Sequence, residues 1–175
     1  MIVWIDGVNG VGKSHVAAEL AERLSDKDFD YIESDIYWQG FLENNYFKNL
    51  SGFYPCNNKY FLEIFRNLLN EKIYDLKKIP IVSMSLVDKR CERELLDYFE
   101  KKNIFMLHII LEATEKTIFS RIENDPIRDV NAQKQQKFNV PIQMQYLKTE
   151  YPNAVRINTE NKVLEEVVNE IIALL

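Results

Sequence analysis

Near its start the chain reads Ile2-Val3-Trp4-Ile5-Asp6-Gly7-Val8-Asn9-Gly10-Val11-Gly12-Lys13-Ser14. The apolar run Ile2 to Ile5, halted by Asp6-Gly7, predicts a short buried strand. Val16, Ala17, Leu20, Ala21 and Leu24 then recur at helical spacing. Between the two lies G-x-x-x-x-G-K-[ST], from Gly7 to Ser14. The chain has five glycines, and three of them, Gly7, Gly10 and Gly12, fall in this motif. Glycine permits the positive-φ turns that aim successive backbone N–H groups at one point. Those donors and the N-terminus of the following helix suit the β-phosphate of a nucleotide. Lys13 supplies a point charge for the β- and γ-phosphates, and Ser14 offers a hydroxyl to Mg²⁺. The expected nucleotide-binding set is Gly7, Asn9, Gly10, Val11, Gly12, Lys13, Ser14 and His15, with ATP and Mg²⁺ as cofactors.

Outward from this loop, strand and helix signals alternate. Tyr31-Ile32 is a weak second strand. Tyr60, Phe61, Ile64, Phe65, Leu68 and Leu69 form a helical stripe. Ile79 to Val87 reads as a strand, and 88–102 as a helix with Asp88 as its N-cap. Ile104 to Leu111 is an apolar and therefore central strand. Thr114 to Ile122 is helical, Ala154 to Ile157 is the last strand, and a stripe from Val163 to Ile172 marks the last helix. Near-continuous apolar strands alternating with helices predict a doubly wound α/β domain, its parallel sheet covered on both faces. Two segments escape the pattern: the aromatic, Asn-rich 36–58 and the polar 124–139. Both are expected outside the packed core, as excursions over one rim of a single domain.

Composition narrows the function. The 175 residues carry a formal net charge of -5, which disfavours a dedicated nucleic-acid binder. No apolar run approaches the roughly 20 residues of a spanning helix, and the start lacks the pattern of a secretory signal. Cys56 and Cys91 are too few for a disulfide framework. A cytoplasmic protein, without membrane or nucleic-acid partners, is expected.

Among proteins with such a loop, a GTPase would carry an [NT]-K-x-D base-reading motif, and this chain has none. A motor-type ATPase would end an apolar strand with an acid, yet Ile79-Pro80-Ile81-Val82 is followed by Ser83. A short domain with two rim excursions suits a small-molecule kinase, because phosphoryl transfer needs a site that closes against water.

The loop and its flanks resemble the nucleoside monophosphate kinase and shikimate kinase group. A closer resemblance is to the tunicamycin-resistance family of small ATP-binding proteins, carried by Met1 to Ile5, Ile81-Val82-Ser83-Met84-Ser85-Leu86-Val87, Ile109 to Arg121, and Arg156-Ile157-Asn158-Thr159 with the final helix. Asp6 and Ser83 depart from that family's usual Asn and Pro, and 36–58 matches no segment of it. The resemblance implies a five-stranded parallel sheet, a P-loop fold with 36–58 on the acceptor side and 124–139 as a lid, and an antibiotic or nucleoside-like acceptor.

The resemblance also places an acid just after the second strand. Asp35, ahead of Glu33, fits there. It would orient or deprotonate an acceptor hydroxyl or hold Mg²⁺ through water, unless it only caps a turn. Asp6 either touches the metal shell or fixes the loop through backbone N–H groups, the second being preferred. By resemblance Arg121 lies over the adenine or the phosphates, and Arg128 is brought in by closure. Both would neutralise a loose, anionic transition state, unless they are merely solvated. Lys134 and Lys137 are weaker candidates. Arg66, off the apolar stripe, reads first as a solvated helix face. Ser83 and Ser85 fall at a strand's carboxyl end, where ligands bind. Tyr37, Trp38, Phe41, Tyr46, Phe47, Phe53 and Tyr54 either stack on a ring or sugar or form a satellite cluster. His108 reads as a satisfied core histidine.

The catalytic candidates are therefore Lys13, Asp35, Arg121 and Arg128, and the metal candidates are Ser14 and Asp35. The expected activity is ATP- and Mg²⁺-dependent transfer of a phosphoryl group to a hydroxyl of a small molecule, by a monomer or homodimer. A nucleoside or nucleotide kinase, toward which Asp6 leans, is one alternative. An ATP-dependent protein that sequesters a toxic compound without modifying it is the other.

Overall fold

A computed structural model describes residues 1–44 and 54–175. Five strands form one parallel sheet in the order β2-β3-β1-β4-β5: β1 Ile2–Gly7, β2 Phe29–Glu33, β3 Ile79–Ser83, β4 Met106–Glu112 and β5 Val155–Asn158. β1 is buried along its whole length, as an apolar strand between two neighbours must be. Trp4 at its centre is fully buried. Its indole N–H donates to the Met84 carbonyl at 3.0 Å, so the ring adds packing area without an orphaned donor.

Helices cover both faces. α1 (Lys13–Arg23) follows the loop, and α2 (Ser34–Asn44) follows β2 directly. α3 (Lys59–Asn70) buries Phe61, Leu62, Phe65 and Leu69 on one face. The Asn58 side chain caps it by accepting from the Tyr60 and Phe61 N–H groups. After β3, Asp88 caps α4 (Lys89–Cys91) by accepting from the Arg90 N–H, and a π-turn leads into α5 (Asp97–Lys101). α6 (Glu115–Glu123) follows β4, α7 is Val130–Glu150, and α8 is Leu164–Ile172.

Three expectations change. The start of 36–58 is helix α2, and Trp38 and Phe41 pack on Phe61, with ring centroids 5.2 and 5.8 Å away. Cys56 and Asn58 are buried, so this end of the segment belongs to the core. Tyr46, Phe47 and Phe53 lie outside the described residues. The strand expected over 79–87 stops at Ser83, because the Leu86 N–H turns to the Asp6 carboxylate and the Ser85 hydroxyl to the Gly7 carbonyl. Most of 124–139 belongs to the 21-residue helix α7, started by Asp129, whose carboxylate accepts from the Asn131 and Ala132 N–H groups.

Candidate active site

β1 and α1 hold the glycine loop between them, at the carboxyl edge of the sheet. Here the chain reverses winding: β3 and β2 lie on one side of β1, β4 and β5 on the other. A crevice opens at such a switch point. Gly10 has φ +80°, and a Cβ there would come within 2.5 Å of Ile122 Cγ1. Gly12 has φ +107°, and a Cβ there would meet nothing within 4 Å. The first glycine is thus required by packing against α6. The second is required by backbone conformation beside open space that a phosphate group can fill.

Asp6 is fully buried beneath the loop. Its Oδ1 accepts from the Gly7 N–H at 2.6 Å and the Leu86 N–H at 3.1 Å, while Oδ2 lies 2.9 Å from His108 Nε2. These contacts tie β1, β4 and the segment after β3 into one support, and Asp6 does not line the crevice. His108 is satisfied within the core, as its apolar strand suggested.

The crevice has a volume of about 1100 Å³ and is lined by Lys13, Asp35, Arg121 and Arg128 together, residues up to 115 positions apart in sequence. Asn9, Gly10, Val11, Gly12, Ser14 and His15 line it too, whereas Gly7 ends β1 behind it. Lys13 Nζ rests on the Val8 carbonyl at 3.0 Å. Burial lowers its pKa below the ordinary lysine value, against the pull of the Asp6, Asp35 and Glu33 carboxylates. Asp35 sits in the first turn of α2, within electrostatic reach of Lys13. Its pKa is raised by desolvation and by Glu33, while Lys13 and Arg128 oppose the rise. Glu33 is held at 2.5 Å by the Tyr31 hydroxyl.

Arg121 joins the loop to the far side of the sheet. Its Nη1 donates to the Val11 carbonyl and the Thr159 hydroxyl, each at 3.0 Å, and its Nη2 to the Thr159 carbonyl at 3.1 Å. Arg128 pairs with Asp125 at 2.8 Å and also donates to Gln136. Ser83 is buried and lines the crevice, and Ser85 donates to the Gly7 carbonyl at 2.8 Å. Three other candidates do not line the crevice. Arg66 pairs with Glu94 at 2.6 Å and lies over the Tyr98 ring, outside the crevice. Lys137 pairs with Glu123 at 2.6 Å, and Lys134 does not line the crevice.

Sequence reasoning missed the polar face of α7. Gln135, Gln136, Asn139 and Gln143 all line the crevice. Gln143 Oε1 accepts from the Asn9 N–H of the loop at 3.1 Å, and Gln135 donates to the Tyr54 hydroxyl at 2.6 Å. α7 thereby bridges the crevice from the loop to the turn at Pro55–Asn57. The Asp129 cap was a readable signal. Pro141 inside the helix and the scarcity of apolar positions hid the rest.

No family model matches this chain, and no curated protein matches its sequence. Its fold is that of the small P-loop kinases, an all-parallel five-stranded sheet with helices on both sides. The chain is similar to the tunicamycin resistance protein of Deinococcus radiodurans, with a TM-score of 0.75 and 24% identity over 99% of this chain and 94% of that one. It is also similar to a gluconokinase from Sinorhizobium meliloti 1021, with a TM-score of 0.62 and 16% identity over 98% and 89% of the two chains. A shikimate kinase from Bacteroides thetaiotaomicron matches with a TM-score of 0.59 and 16% identity, over 99% and 97%. Among the described residues, no helix is long and apolar enough to cross a membrane.

Proposed function

We propose that this protein transfers the γ-phosphoryl group of ATP to a hydroxyl of a small molecule. The observation that carries the reading is the placement of Asp35 and Lys13 in the lining of one crevice, close enough for each charge to act on the other. A binder would need only the loop; a carboxylate with a raised pKa facing it supplies what a transfer needs.

The loop amides and Lys13 hold the β- and γ-phosphates, with Lys13 leaving the Val8 carbonyl to do so. Mg²⁺ fits the residues present. Among the described residues no three His, Cys, Asp or Glu side chains gather as a metal site. The Ser14 hydroxyl and the Asp35 carboxylate are hard oxygen donors beside the open space at Gly12, which suits an ion that keeps phosphate and water ligands. When bound, it would neutralise charge on the transferring group. Asp35 accepts the proton of the acceptor hydroxyl as its oxygen forms the new P–O bond, and ADP leaves as the old P–O bond breaks. Desolvation within the crevice and the neighbouring Glu33 carboxylate favour the protonated carboxyl, which makes Asp35 a better base than an isolated aspartate in water. Arg128 places positive charge beside the reacting groups, and Arg121 holds the loop against the nucleoside side of the crevice. Of the segment 36–58, the described residues 36–44 and 54–58 form the acceptor side, and 124–139 acts as the lid. ATP supply and two free thiols suit the cytoplasm.

Asp6 lies beneath the loop and outside the crevice lining, and a nucleoside or nucleotide kinase is the alternative reading. The test is incubation with Mg²⁺, ATP and a panel of hydroxyl-bearing compounds, followed by phosphorus NMR and mass spectrometry. A product heavier by one phosphoryl group, missing with Lys13→Ala, is expected. Tight nucleotide binding with no transfer to any acceptor would favour sequestration.

A further inference from the structure

Resting on the phosphotransferase reading, we propose that the acceptor is an electrically neutral molecule bearing hydroxyl or amide groups, rather than a phosphate monoester or a carboxylate.

Charge placement around the crevice separates the two sides. The triphosphate lies at the end of β1. The strands β4 and β5, with Arg121 and Thr159, flank one side, so the acceptor lies toward β3 and β2. Among the described residues, the Lys and Arg side chains lining the crevice are Lys13, Arg121, Arg128 and Lys162. Lys13 belongs to the loop. Arg121 is bonded to Val11 and Thr159. Lys162 lies just beyond Thr159 and pairs with Glu170 at 2.6 Å. Arg128 is paired with Asp125, within electrostatic reach of Lys13 and Asp35, where the transferring phosphoryl group would be. None of the four stands on the acceptor wall.

That wall offers Trp38, Tyr54, Asn57, Ser83 and Gln135, with Glu33, Asp35 and Asp88 as its charges. The nearby cations do not line the crevice and are engaged outside it: Arg90 donates to the Asn57 carbonyl, Lys89 pairs with Glu150, and Arg66 with Glu94. Among the described residues, an anionic acceptor would meet three carboxylates and no cation on that wall, in a partly desolvated crevice, which is costly. A neutral one meets amide and hydroxyl partners and aromatic surface, the pairing suited to sugar and base rings.

Ser83 adds an independent observation. Its hydroxyl is buried, lines the crevice, and has no hydrogen-bond partner among the described residues. A buried orphan hydroxyl is unfavourable and is satisfied by a ligand group that reaches it.

The test uses the full chain saturated with Mg²⁺ and a non-hydrolysable ATP analogue. Calorimetry measures binding of neutral sugars, polyols and nucleosides, each paired with its phosphorylated or carboxylated counterpart. Preference for the neutral member by about tenfold or more, in the pairs that bind, is expected. Preference for the charged members, or failure of every neutral member to bind while the nucleotide analogue binds, overturns the proposal and leaves the phosphotransferase reading standing. Loss of Lys13-dependent nucleotide binding would instead sink that reading. Ser83→Ala is expected to weaken the neutral ligand about 3- to 10-fold, with the nucleotide affinity unchanged and the free protein no less stable. An unaltered ligand affinity would remove Ser83 from the acceptor site, and with it the second support of the proposal.

Discussion

Gln143 of α7 accepts a hydrogen bond from the backbone N–H of Asn9, 134 positions away, at 3.1 Å. One donor of the phosphate loop is therefore held by a side-chain oxygen where a phosphate oxygen would compete for it. Gln143→Leu frees this donor. One hydrogen bond contributes about 0.5–1.5 kcal/mol net, so nucleotide affinity should rise about 2- to 12-fold. Titration calorimetry with an ATP analogue reads this directly. A weaker affinity would mean that Gln143 supports the bound state instead.

Asp35→Asn should lower kcat by about 10²- to 10⁴-fold, the usual worth of a general base, with nucleotide affinity nearly kept. Steady-state kinetics with the identified acceptor decide. A variant that turns over normally would remove Asp35 as the base.

The raised pKa of Asp35 sets a pH signature. The acid limb of kcat/KM should lie above the ordinary carboxylate range and vanish from the residual activity of Asp35→Asn. The stability sign follows from linkage: a carboxyl with a raised folded-state pKa binds its proton more tightly in the fold. Its contribution is present below the unfolded value and is lost as pH rises through the folded one. Asp35→Asn should therefore not lower the melting temperature at neutral pH by removing this charge, and thermal melts across pH test that.

Lys13 carries the opposite strain. Burial lowers its pKa, so the charged form is disfavoured in the fold at neutral pH and the penalty is relieved as pH rises toward the ordinary lysine value. Lys13→Met is expected to abolish nucleotide binding while raising the thermal midpoint. Coupled loss of both binding and stability would show that the contact to the Val8 carbonyl outweighs the desolvation.

Gly10→Ala places a Cβ against Ile122 at a backbone φ of +80°. The loop must shift or α6 must yield, at a cost of about 1–3 kcal/mol. Chemical denaturation should show that loss. Ile122→Ala removes Cγ1, so the double variant with Gly10→Ala should be more stable than the sum of the two single losses predicts, the difference being the steric part.

The sequence by itself determined the strand–loop–helix start, the parallel α/β class and the five strands. Those features are local: β1 is apolar because both faces are covered, and the glycines, Lys13 and Ser14 stand together because a phosphate requires them so. Asp88 and Thr114 were equally legible as helix starts, since a cap acts within three residues. What only the tertiary structure decided is long-range. α7 has just Val140 and Leu147 buried in 21 residues, so no apolar stripe announced it. Its value to the crevice lies in polar side chains whose partners, Asn9 and Tyr54, are remote in sequence. Asp6 could not be assigned to the underside of the loop until β1, β4 and the segment after β3 were assembled. The absence of a free cation on the acceptor wall, among the described residues, depended on where Arg66, Lys89 and Arg90 found their partners. Periodicity records what a residue buries; the partner of a charge or an amide is chosen by the packing of the whole sheet.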